Sequence, residues 1–135
     1  MGTKVGLWID QRKAVIVLVS DLGEEVRLIL SGAEKHARRS DDSARNGPYQ
    51  DQQRAADDQR QRIFTALLNT YYDAVIASFA DDAESILIFG PGEAKDHLKT
   101  RLEENKLGKR LVGIEAADKM TDGQITAKVR QYFAG

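Results

Sequence analysis

The stretch ILIFGPGEAKDHLKTRL, Ile86 to Leu102, decides the fold. Ser85 to Phe89 is apolar in both phases of a strand's alternation, so it reads as a central strand covered on both faces. Gly90-Pro91-Gly92 then breaks the pattern, and Glu93 to Gly108 resumes at helical spacing with Ala94, Leu98 and Leu102 on one side, closing near Gly108. A glycine turn between strand and helix is where many proteins hold a phosphate. This turn has neither the GxGxxG spacing after a first strand nor GxxxxGK followed by Ser or Thr. Glu93 stands where backbone amides would meet the anion, and its carboxylate repels one. The glycines are expected to make the corner, with Glu93 complementing the positive end of the helix.

On the N-terminal side lie three strand candidates. In KVGLWID, Val5, Leu7 and Ile9 alternate with Gly6, Trp8 and Asp10; KAVIVLVS is apolar in both phases; EEVRLIL sets Val26, Leu28 and Leu30 opposite Arg27, as in a strand nearer an edge. Short turn-rich linkers make them an antiparallel meander. From Ser31 to about Gln50 periodicity stops, over a stretch longer than the usual ~4–6-residue connection. A helix follows from the low fifties to Phe79, with Ile63, Leu67, Tyr71, Val75 and Phe79 at i+4 spacing; its polar start is expected to project beyond the core. On the C-terminal side, RLVGIEA reads as a strand. TDGQITAKVRQYF reads as a helix capped by Thr121 with Gln124 three residues on, presenting Ile125, Val129 and Phe133. The order βββ-α-β-α-β-α, with right-handed crossovers, predicts an α/β protein: one domain over residues 1–135, a mixed five-stranded sheet of order 3-2-1-4-5 flanked by helices.

Composition narrows the function classes. Twenty Lys and Arg against 21 Asp and Glu leave a net charge of −1, so attraction to nucleic acid or a membrane surface must come from a local cluster. The absence of cysteine removes disulfides, thiolate metal sites and thiol catalysis. No apolar run approaches the ~20 residues that span a bilayer, and the N-terminus lacks the apolar block of a signal peptide. The expectation is a cytoplasmic protein with no membrane contact.

The mixed strand order is also that of ribonuclease H-like folds, in which a two-metal nuclease gathers three or four carboxylates on its ions. Asp10 ends a strand at a hairpin, where aspartate is favoured for its bond to local backbone; Glu24 and Glu25 start a strand, and Asp81 and Asp82 end a helix. Nothing forces these to converge, so no metal, cofactor or catalytic residue is assigned. Of the two histidines, His97 reads as a surface residue beside Leu98. His36 lies among Lys35, Arg38 and Arg39, with Arg45 following. Such a cluster can grip RNA phosphates, or, since Glu34, Asp41 and Asp42 sit among the cations, it can solvate itself.

Taken together, VGLWIDQRKAVIVLV, the long segment entering a long helix, and ILIFGPGEAKDHL resemble the central domain of the archaeal and eukaryotic class I peptide-chain release factors and of the ribosome-rescue factor Pelota. Short bacterial proteins similar to that domain alone, labelled translational machinery proteins, fit the length better. The resemblance implies a ribonuclease H-like sheet used as a delivery platform. In the release factors, Lys-His-Gly-Arg leads into the Gly-Gly-Gln that promotes hydrolysis of peptidyl-tRNA; Lys35, His36 and Arg38 match that approach. Arg39, Ser40 and Asp41 stand where the tripeptide would be, and they lack the backbone freedom that glycines give it. Pelota also lacks the tripeptide. The expected role is therefore a non-catalytic, translation-associated module contacting ribosomal RNA or tRNA through Lys35, His36, Arg38, Arg39 and Arg45. The alternatives are a protein-interaction module or homodimer and, third, a metal-dependent nuclease.

Overall fold

The computed structural model describes residues 2–32 and 50–134, with residues 50–58 as backbone only. Its elements are β1 (Thr3–Ile9), β2 (Lys13–Ser20), β3 (Gly23–Leu30), α1 (Gln50–Ala77), β4 (Ala83–Gly90), α2 (Ala94–Glu104), β5 (Leu111–Ala116) and α3 (Asp122–Ala134), with a 3-10 turn at Gly108–Arg110. Among the described residues the strands form a five-stranded sheet of order β3-β2-β1-β4-β5, the order expected. β1 is antiparallel to β2 and parallel to β4, with Leu7 paired to Ile16 and to Ile88. β2–β3 is antiparallel and β4–β5 parallel.

Pleating sorts the apolar residues of the central strands into two cores. Val5, Leu7, Ile9, Ala14, Ile16, Leu18, Ile86 and Ile88 face the layer of α1 and α2, where Tyr71, Tyr72, Val75, Ile76, Leu98 and Leu102 meet them. Trp8, Val15, Val17, Leu87 and Phe89 face the other way, against Ile125 and Val129 of α3. This double coverage is why KAVIVLVS and SILIF are apolar in both phases. At Gly6 the sheet has no side chain, and Val129 of α3 fills the space.

The helix ends follow local rules with one departure. At α3 the Thr121 N–H donates to the Gln124 side-chain oxygen (3.0 Å) and the Gln124 N–H to the Thr121 hydroxyl (3.1 Å), the reciprocal box that the sequence predicts. α2 buries Ala94, Leu98 and Leu102 as expected but stops before Gly108. Lys106 takes the left-handed conformation (φ 64°) and the Leu107 N–H bonds the Leu102 carbonyl (2.8 Å), so a lysine performs the closing turn. α1 ends at Ala77, and Phe79 lies in the turn beyond it while remaining 1% exposed. The carbonyls at this end receive cations from other elements. Arg27 of β3 donates to Ser78, and Arg110 donates to Ala80 (3.1 Å) and Ala83 (2.9 Å), which offsets the negative end of the helix.

Candidate functional site

Lys35, His36, Arg38, Arg39 and Arg45 lie outside the described residues. The described chain that flanks them is β3 on one side and α1 on the other. β3 leads out at Leu30, where the Ser31 N–H donates to the Arg12 carbonyl (2.9 Å) in the β1–β2 turn. That turn stands at the carboxyl end of β1. Its geometry comes from Asp10, whose carboxylate accepts from the N–H groups of Arg12 and Lys13 (2.8 Å each), the local bonding role expected of it.

The return leg is α1, and three observations fix its direction. Tyr71 donates its hydroxyl to the Asp10 carbonyl (3.0 Å), at the carboxyl end of β1. Seven residues later, Ser78 accepts from Arg27 in the middle of β3. The chain then enters β4 at Ala83, beside Thr3 at the opposite end of the sheet. α1 therefore runs antiparallel to β1, and its N-terminal part continues past the carboxyl end, with Leu68 still packed against the core. At 1.5 Å per residue, the run from Gln50 to Tyr71 reaches about 30 Å. From Gln59 to Thr70 no side chain is buried, whereas Tyr71 and Tyr72 are 3% and 2% exposed. Burial thus begins where the sheet begins, two turns later than the apolar stripe starting at Ile63, which is itself 37% exposed.

The anchor is polar and buried. Burial first, then the Asp10 charge and neighbouring Tyr72, push the Tyr71 phenol far above its usual range, so it keeps its proton and donates at any physiological pH. Tyr72 packs between Tyr71 (ring centroids 5.3 Å apart) and His97 of α2 (6.1 Å, interplanar angle 24°). Burial raises the Tyr72 phenol as well.

Beside the β1–β2 turn lies the Gly90-Pro91-Gly92 corner; the two enclose an open cleft of about 540 Å³ lined by Asp10, Gln11, Arg12, Pro91, Gly92 and Glu93. The glycines have structural causes. A Cβ on Gly90 (φ 151°) would lie 2.2 Å from the Ile9 carbonyl oxygen, and Gly92 takes φ 65°. Glu93 precedes α2 without a side-chain bond to its first amides and leans 3.8 Å from His97. Two carboxylates in so small a cleft oppose an anion. The cations at this end are Arg12, Lys13, whose ammonium lies 5.8 Å from the Trp8 ring centroid, and Lys95, which donates to the Gly92 carbonyl. Trp8 in turn donates its indole N–H to the Asp118 carbonyl (3.1 Å), fixing the segment after β5.

Among the described residues, no group of three or more His, Cys, Asp or Glu is placed to hold a metal ion, and no helix is long and apolar enough to cross a membrane. Sequence reasoning placed Tyr71 in the apolar stripe but missed its hydroxyl bond to the Asp10 carbonyl. The signal lay in the run Ile63 to Phe79, where the stripe gains a paired Tyr71-Tyr72 whose hydroxyls need partners.

Solved structures match this fold over nearly the whole chain. The crystal structure of Pelota from Thermoplasma acidophilum matches 96% of this chain at TM-score 0.60 and 17% identity. The fold resembles that of Pelota. Pelota from Archaeoglobus fulgidus matches 98% of the chain at TM-score 0.56 and 13% identity, and the archaeal translation termination factor aRF1 matches 98% at 0.44 and 14%. The chain spans about a third of the length of the Pelota structures, 32% in each. No protein-family model matches the sequence, and no curated protein matches it.

Proposed function

We propose that this chain is a non-catalytic, translation-associated module that contacts ribosomal RNA or tRNA through Lys35, His36, Arg38, Arg39 and Arg45. One observation carries the reading. Both chain ends that flank these residues emerge at the carboxyl end of the sheet, and α1 extends about 30 Å past it from the Tyr71 anchor. The segment that joins Gly32 to Gln50 carries these cations, which supports a contact at this end of the sheet. Arg12, Lys13 and Lys95 add positive charge at its base, while the Asp10 carboxylate is occupied by turn amides. The fold likeness to Pelota and the resemblance of the sequence to the release-factor and Pelota family support the ribosome as partner. Arg39-Ser40-Asp41 in place of Gly-Gly-Gln supplies the reason to assign no hydrolysis of peptidyl-tRNA.

The test is binding to purified ribosomes and to tRNA across a salt series. Exchanging Lys35, Arg38, Arg39 and Arg45 for Glu is expected to weaken binding and flatten the dependence of log K on log salt by about 0.7–0.9 for each phosphate no longer neutralised. Binding indifferent to those exchanges, or release of peptidyl groups from tRNA by the unsubstituted chain, would overturn the reading.

A further inference from the structure

β3 is the feature that the proposed function leaves unused. Among the described residues it is the terminal strand of the sheet, eight residues long, and pairs with β2 in unbroken register from Gly23 to Leu30, without a bulge or a proline. Monomeric proteins usually blunt such an edge with a bulge, a proline, a short strand or charged side chains, because its unpaired N–H and C=O groups template a further strand. Here the charged side chains are engaged in ion pairs. Glu24 is held by Arg130 of α3 (2.8 Å from Nη2), and Glu25 pairs with Arg27 (2.8 Å), whose guanidinium also reaches back to Ser78. Apolar side chains are exposed beside them. Val26, Leu28 and Leu30 are 50%, 60% and 68% exposed, on the face of the sheet that carries α3.

We propose that β3 pairs with β3 of a second copy of this chain, joining two sheets edge to edge about a two-fold axis normal to the sheet. The strand complements itself in one register. With Leu28 opposite the partner's Leu28, Val26 meets the partner's Leu30 and Leu30 the partner's Val26, which stacks all six exposed apolar side chains on one continuous face. Arg27 then stands opposite the partner's Ile29, and neither Glu24 nor Glu25 meets a carboxylate. Centring the pair on Arg27 instead would oppose two guanidiniums, and a slip by a single residue would set the apolar face of one strand against the polar face of the other. A two-fold contact needs one surface that fits itself, and this edge supplies it. No residue of β3 lines the cleft between the β1–β2 turn and the glycine corner.

Light scattering across a concentration series is expected to give twice the 15.0 kDa chain mass. Leu28→Lys should raise the dimer dissociation constant at least tenfold while leaving the circular dichroism spectrum unchanged, because the side chain is exposed in the single chain. Placement is read independently in this cysteine-free chain. A short bismaleimide should link two copies carrying Leu28→Cys, whereas Val112→Cys on the far edge strand β5 should stay unlinked. A monomeric mass at every concentration would overturn the proposal, as would a dimer insensitive to Leu28→Lys. Association of this edge only with an unlike protein would overturn it equally.

Discussion

Replacing Gly6 by alanine tests how closely α3 is seated on the sheet. A Cβ at this position would lie 2.3 Å from one Val129 methyl and 2.7 Å from the other. Carbon atoms rest about 3.5–4.0 Å apart, so α3 must retreat by at least ~1.2 Å. Val129 and Ile125 are fully buried, and their retreat opens the second core around Trp8 and Phe89. Overpacking of this kind costs about 1–3 kcal/mol. Urea denaturation followed by circular dichroism reads it as a lower midpoint at unchanged slope. Val129→Ala destabilises by itself, through reduced burial, but it also vacates the space that the new methyl needs. The double variant should therefore lose less than the two single losses combined, by about 1 kcal/mol or more. A Gly6→Ala variant within about 0.5 kcal/mol of the unsubstituted chain, or strict additivity in the double variant, would refute the argument.

Two further outcomes are expected. Gly90→Ala meets the Ile9 carbonyl, which is backbone and cannot swing aside, so it should cost about 3 kcal/mol or more. Gly92→Ala, with open space around it, should cost only the left-handed penalty of about 1–2 kcal/mol, and equal losses in the two variants would contradict the corner's geometry. The Glu24–Arg130 pair gives a pH signature. The hydrogen bond from Arg130 holds the Glu24 carboxyl below its ordinary 4.5, so the pair's contribution is complete above that value and is lost as pH falls through the lowered one. The stability gap between the unsubstituted chain and Arg130→Met should be present at neutral pH and close in acid; a gap independent of pH would show that the pair is not its source.

The sheet was legible because its chemistry is local and repetitive. Ala14 to Val19 and Ile86 to Phe89 are apolar in both phases, which only a doubly covered strand requires, and Thr121 with Gln124 marks a helix start in four residues. The ends of α1 and α2 were harder to read because distant residues set them. Lys106 accepts a left-handed turn that sequence would assign to Gly108, and Arg27 and Arg110 complete the end of α1 from other elements. The candidate cations can be counted in the sequence, but they lie outside the described residues. The direction of α1 was not legible, because it depends on a bond between residues 61 positions apart, Tyr71 and Asp10.

A rod clamped near one end acts as a cantilever. α1 is clamped by its tyrosines and by the arginines at its foot, and from Gln59 to Thr70 no side chain is fully buried, so any small angular play at the fulcrum is multiplied along the helix. Stiffness of the clamp then governs how sharply the N-terminal part of α1 is aimed, and loosening the pivot would blur its position without changing a residue of that part.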